Sequence, residues 1–151
     1  MTEFELLIQG FEYDAWANRL WLKYLIDKKL GDPDRGIMEH ILGAQDIWYR
    51  RCFGTSVTEF PKPELSFDTI GALNSEWTAL LTDEEDNDPV IHYQRLDGTS
   101  HHQRVSRIAH HVIDHGVYHR GELRGLCRGR GDEDFPETGL MGFYFTENLF
   151  D

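Results

Sequence analysis

A chain of 151 residues with 40% hydrophobic and 13% aromatic content is long enough to bury one sizeable core and too short to suggest two, so it is read as a single domain over residues 1–151. Its formal charge of −12 repels phosphate backbones and anionic bilayers, which argues against nucleic acid or a membrane surface as a partner. The opening Met1-Thr2-Glu3-Phe4-Glu5 carries acid where a signal peptide carries Lys or Arg, and no later apolar run approaches the roughly 18 residues of a membrane span, so a cytoplasmic location is expected.

The first segment, about Thr2 to Lys29, places Phe4, Leu7, Phe11, Ala15, Asn18, Leu22 and Leu25 three and four apart, the period of an amphipathic helix, with Gly31 as its stop. Asp32 and Pro33 then offer an N-cap and a first-turn proline for a second helix. It runs to about Phe53 with Ile37, Ile41, Ala44, Ile47 and Trp48 on one stripe, and Gly54 closes it. Residues 54–65 hold Pro61 and Pro63 and no helical period. They form a long connection, and connections of that length need a reason. Ser66 caps a third helix with Phe67, Ile70, Leu73, Trp77, Leu80 and Leu81 as its stripe, and the acidic run from Thr82 to Asp88 breaks it as a solvated loop.

Residues 90–99 alternate enough for a short extended piece, and Asp97-Gly98 signals a turn, so a small hairpin or a bent crossover is expected there. A fourth helix follows from near Arg104 to about Arg128, with Gly129 and Gly131 available to stop it. The tail, with Phe135, Leu140, Met141, Phe143, Tyr144, Phe145, Leu149 and Phe150, is too apolar for a free linker and is expected to pack on the bundle or on a second subunit. The fold class is therefore all-α, a four-helix bundle. Cys52 and Cys127 form no Cys-x-x-Cys pair and are read as core thiols. Arg120, Arg124, Arg128 and Arg130 are read as facing water and complementing the negative end of a helix dipole; the alternative is a basic lip that attracts an acidic substrate.

The stretch from His110 to Glu122 carries the chemistry. His115 and His119 stand four apart, so on a helix they project from one face and can share an ion. At 100° per residue they fall within the stripe of Ile108, Val112, Leu123 and Leu126 and point into the core, where neutral imidazoles need partners for their ring nitrogens. A divalent metal satisfies both rings, and His40, close to the apolar stripe of the second helix, is the third ligand. Three imidazoles leave a coordination position open, as in catalytic rather than structural sites. His111 lies about 60° off the stripe and is read as supporting a ligand or facing solvent. His110 faces nearly the other way, and His92, His101 and His102 fall in the hairpin region. Glu122 and Asp46 are candidates to orient a ligand or accept a proton, with ordinary salt bridges as the alternative. Tyr13, Trp16 and Trp48 read as core, with a pocket wall as the other possibility.

Three segments together resemble the DinB/YfiT-like family of metalloenzymes. Tyr13-Asp14-Ala15-Trp16-Ala17-Asn18 looks like its Trp-Ala-Asn signature. His40 to Trp48 is similar to its His, apolar pair or triplet, Ala-x-x-x-Trp segment. His115-Gly116-Val117-Tyr118-His119-Arg120-Gly121-Glu122, preceded by His111, resembles its His-x-x-x-His-Arg-Gly-Gln block. The resemblance implies an up-down-down-up bundle, frequently a homodimer, with His40, His115 and His119 holding zinc or nickel, or else iron or manganese. It also implies a thiol-dependent S-transferase or isomerase using a low-molecular-weight thiol such as bacillithiol or mycothiol and an electrophilic partner, or a related hydrolase. Glu122 departs from the family's Gln, and Pro136-Glu137-Thr138-Gly139 matches its tail pattern only loosely, so nothing is carried over from the tail. The competing expectation is a stress-responsive bundle with a structural or regulatory metal site that acts through protein interaction.

Overall fold

The structure is a computed structural model and describes residues 1–147; Leu149 and Phe150 of the expected apolar tail lie outside them. The described residues form helices α1 (Glu3–Asp27), α2 (Asp34–Cys52), α3 (Phe67–Glu84), α4 (Val105–Arg130) and α5 (Leu140–Glu147), with strands β1 (Val90–Gln94) and β2 (Ser100–Arg104) before α4. α1 packs on α3 and α4, and α2 packs on α4 and α3. Among the described residues no helix is long and apolar enough to cross a membrane.

Local chemistry sets the helix ends. Thr2 and Glu5 form a capping box, the Thr2 hydroxyl accepting from the Glu5 N–H at 3.1 Å and the Glu5 carboxylate from the Thr2 N–H at 2.7 Å. The first helix stops before Gly31, because Lys29 adopts a left-handed conformation (φ 53°) and turns the chain earlier. α2 begins one residue later than its Asp-Pro signal suggests. Asp32 still supplies the cap, its carboxylate accepting from the Gly36 N–H at 3.1 Å. Gly131 (φ 76°) ends α4, the left-handed backbone that a residue without Cβ adopts at no steric cost, while Gly129 stays within the helix.

The acidic run after α3 is more than a solvated loop. α3 continues through Glu84, and Asp88 accepts from the Ser106 N–H at 2.9 Å and the Ser106 hydroxyl at 2.8 Å, which caps α4 from outside the helix. The intervening segment is a hairpin, not a bent crossover: β1 and β2 pair antiparallel with His92 opposite His102. The tail packs on α1. Phe143 is buried against Tyr13 and Trp16, and Thr138 accepts from the Tyr13 hydroxyl at 2.6 Å and the Trp21 indole at 3.1 Å.

Among the described residues the interior holds two large apolar clusters, one around Trp21, Leu22, Met38, Leu42, Ile70 and Leu123, the other around Phe11, Trp77, Leu81, Val105 and Val112, and a smaller third around Tyr13, Ala17 and Phe143. Phe11 and Trp77 stack at 4.8 Å in the second. A polar layer joins α4 to α1 as well. Arg120 donates to Asp14 at 2.6 Å and to Asn18 at 2.8 Å, all three buried, and ties α4 to α1. Burial pushes the Asp14 carboxyl above its ordinary value, and Arg120 pulls against it. Gly116 makes room for the pair: a Cβ there would stand 2.5 Å from Asp14 Oδ1 and 2.9 Å from Arg120 Nη1. Arg120 therefore does not face water. Arg124 pairs with Glu137, and Arg130 with Asp34 and Asp132, so a free basic lip does not form; Arg128 alone of the four is exposed without an ion pair among the described residues. Cys52 and Cys127 are free thiols, the second buried, and burial pushes Cys52 up to about 12.

Candidate metal centre

The buried stripe of α4 runs through Val105, Ile108, Ala109, Val112, Gly116, Arg120, Leu123 and Cys127. His115 and His119 stand on its flank, one position from Gly116 and Arg120, and are half-buried against α2 instead of pointing into the core. A stripe centred on a glycine and an arginine does not look apolar in sequence, and that displaces the predicted stripe toward Leu126. From α2, His40 meets the pair: ring centroids lie 4.8 Å from His115 and 4.6 Å from His119, which are themselves 4.4 Å apart.

One ring nitrogen from each of His40, His115 and His119 lies within 4.8 Å of the other two, and His40 Nε2 is 3.0 Å from His115 Nε2. Two nitrogens bound tetrahedrally to one zinc ion at about 2.0–2.1 Å lie roughly 3.3 Å apart, so the cluster fits a divalent ion with small movements of its rings. Protonation fits too. Burial, followed by repulsion from His119, His40 and His111, holds His115 at about 4, and burial with His119 lowers His40, so both rings are neutral near pH 7 and have lone pairs to give. His119 Nδ1 is 2.9 Å from Glu122 Oε1, which turns its Nε2 toward the other rings.

The long connection has its reason at His40. Phe60 stacks on that imidazole, centroids 5.2 Å apart and planes 16° from parallel, and covers one side of the site. It reaches this position over Gly43, where any Cβ would collide with the Phe60 ring and stand 2.6 Å from the Pro61 carbonyl oxygen. A glycine inside a helix is the only trace in the sequence of the place that Phe60 takes. His111 is exposed, its ring 5.8 Å from His115 and 5.5 Å from Trp48. Asp46 is not part of the cluster. Arg50 engages both its oxygens at 2.9 and 3.1 Å, since six residues beyond His40 is about 120° away around the helix. Tyr13 and Trp16 pack with Phe143 and do not belong to the histidine cluster; Tyr13 also walls a cavity between α1, α4 and the tail.

Residues 35–145 match the family model described as the DinB family. The chain belongs to the DinB family. The match to the DinB model opens at the start of α2 and closes in α5, so it takes in His40, His115, His119 and Glu122, while α1 with Asp14 lies before it. No curated protein matches the chain. The three-histidine cluster and DinB membership together are those of a protein able to bind a divalent metal.

Proposed function

We propose that this DinB-family chain is a metal-dependent enzyme that holds one divalent ion on His40, His115 and His119 and transfers a low-molecular-weight thiol to an electrophile. The observation that carries the reading is the convergence of three imidazoles from two helices, two of them held neutral, at the half-buried flank of the bundle. A bound cation supplies Lewis-acid activation of a thiol, or of water in a related hydrolase. Around it, Glu122 accepts the His119 Nδ1 proton and fixes the ring, Phe60 excludes water from one side of His40, and the exposed His111 takes the proton that an incoming thiol gives up. Zinc or nickel suits an all-nitrogen site best, with iron or manganese behind them. An up-down-down-up bundle, a homodimer and a cytoplasmic setting complete the proposal. The packing of α1 on α3 and α4 and the exposed Tyr118, Met141 and Phe145 support the first two.

A second reading draws on one observation. A cavity of about 760 Å³ lies between α1, α4 and the tail, and none of the three histidines lines it. On that reading the metal is structural or regulatory, and the protein acts in stress responses by binding other proteins. Metal analysis of untagged protein separates the outcomes. About one ion per chain in the wild type, little in His115→Ala, and thiol transfer that returns with the ion support the enzyme. One ion per chain without any transfer favours the second reading, and no metal in the wild type after zinc or nickel is supplied defeats both.

A further inference from the structure

Arg51 is a buried cation without an ion pair among the described residues. It sits in the last turn of α2, 7% exposed, with its guanidinium carbon 4.5 Å from the Trp48 ring and 5.3 Å from the Tyr93 ring. Its Nε is buried without a hydrogen-bond partner, and among the described residues no carboxylate pairs with it. The charged or polar groups it feels are Tyr93 and Arg95, and burial lowers its pKa from the usual guanidinium value. Burying a charge without a counter-ion is costly, and cation–π contact returns only about 0.5–2 kcal/mol. Ring contacts also engage the face of a guanidinium and leave its N–H edge for an acceptor in the plane.

Arg51 lines a polar cavity of about 590 Å³ between the end of α2, the start of the long connection and the hairpin. Its walls include His92, Arg95, Thr55, Ser56, Ser100 and His101, whose Nε2 lies 2.8 Å from the Thr99 hydroxyl, and no Asp or Glu lines it. In a chain with 27 acidic and 15 basic residues, a cavity with two arginines, two histidines and no carboxylate is the reverse of the surroundings. The hairpin acid Asp97 does not line the cavity; it accepts from the Thr99 N–H and hydroxyl at 3.0 and 2.7 Å and also neighbours Arg95 and His101, while Arg51 has no such acid beside it. A second hollow continues it past Tyr93, Arg95 and His101 to Arg107 and His111, again without a carboxylate.

We propose that this cavity is an oxyanion site, in which Arg51 receives a carboxylate or phosphate group carried by a small molecule and Arg95 and His101 close over it from the hairpin. A planar guanidinium with a free edge is suited to a bidentate oxyanion, and the hydroxyls supply donors for the remaining oxygens. The site does not rest on the metal reading, and binding is expected to be the same in His115→Ala.

The test is titration of the full-length protein with inorganic phosphate and, separately, with succinate at constant ionic strength, followed by calorimetry and amide and indole NMR shifts. Saturable binding that moves the Trp48 indole, Tyr93 and His101 signals is expected with at least one anion. Arg51→Gln should weaken it by about tenfold or more, Arg51→Lys by less, and the exposed Arg128→Gln not at all. Tighter phosphate binding assigns a phosphorylated ligand, and tighter succinate binding a carboxylate. Should Arg51→Gln fail to fold, the exposed pair Arg95→Gln and His101→Ala carries the same expected loss. No saturable shift at these residues with either anion, or wild-type binding in the folded variants, overturns the proposal.

Discussion

The 2.9 Å contact between His119 Nδ1 and Glu122 Oε1 decides which nitrogen of His119 faces its neighbours. Removing the carboxylate frees the ring to turn and lowers its basicity. Glu122→Ala is expected to weaken metal affinity by about 10–100-fold in competition with a chromophoric chelator, and Glu122→Gln, which keeps an acceptor oxygen, by much less. A second consequence concerns the metal-free protein. The folded state holds His115 at about 4, below its ordinary 6.5, so unfolded chains bind more protons between those values. The stability tied to the neutral ring is complete above about pH 6.5 and is lost as pH falls toward 4. Melting temperatures of chelator-treated protein should drop across that window, and the drop should shrink in His115→Asn. The histidine spacing made two ligands readable in sequence, because i and i+4 share a helical face whatever the rest of the chain does. Phe60 was not readable. Nothing local marks one aromatic in an irregular stretch as the ring that will lie on His40.

Between elements, the polar link from α1 to α4 was the least visible feature. Arg120 follows His119 directly and was expected to face water, since hydropathy assigns a guanidinium to the surface. Asp14, on a different helix, makes its burial tolerable. Breaking a buried pair by removing one partner leaves an uncompensated charge, so Arg120→Met is expected to cost about 3–5 kcal/mol in chemical denaturation. Replacing both, as Asp14→Leu with Arg120→Met, should restore much of that loss. The stripes of α1, α2 and, apart from the exposed Phe67, α3 were legible with the Ser66 cap because periodicity and capping are local, whereas the stripe of α4 centres on Gly116 and Arg120, which hydropathy does not mark. The end of α1 was not, because Lys29 turns left-handed ahead of the glycine that seemed to be the stop.

At the scale of the whole molecule, the tail closes the structure. Phe143 is 2% exposed and fills the angle between Tyr13 and Trp16, although it belongs to the short helix farthest along the described chain. Phe143→Ala is expected to destabilise the fold by about 3–5 kcal/mol, a fall of roughly 10 °C in melting temperature for a chain of this size. Its apolar composition showed that the tail packs, but not on which helix, because the choice depends on the Thr138 contacts with Tyr13 and Trp21 that only the folded chain assembles.

His40 stands near the start of α2 and Arg51 in its last turn, on one uninterrupted helix. At 1.5 Å per residue their separation is about 16 Å, and the helix holds it like two marks on a rule. An extended chain advances about 3.3–3.6 Å for every three bonds, so a compound gripped at its anionic end by Arg51 needs roughly fourteen bonds to bring its other end beside the histidines. Length, and not charge alone, then sorts which molecules occupy both places at once.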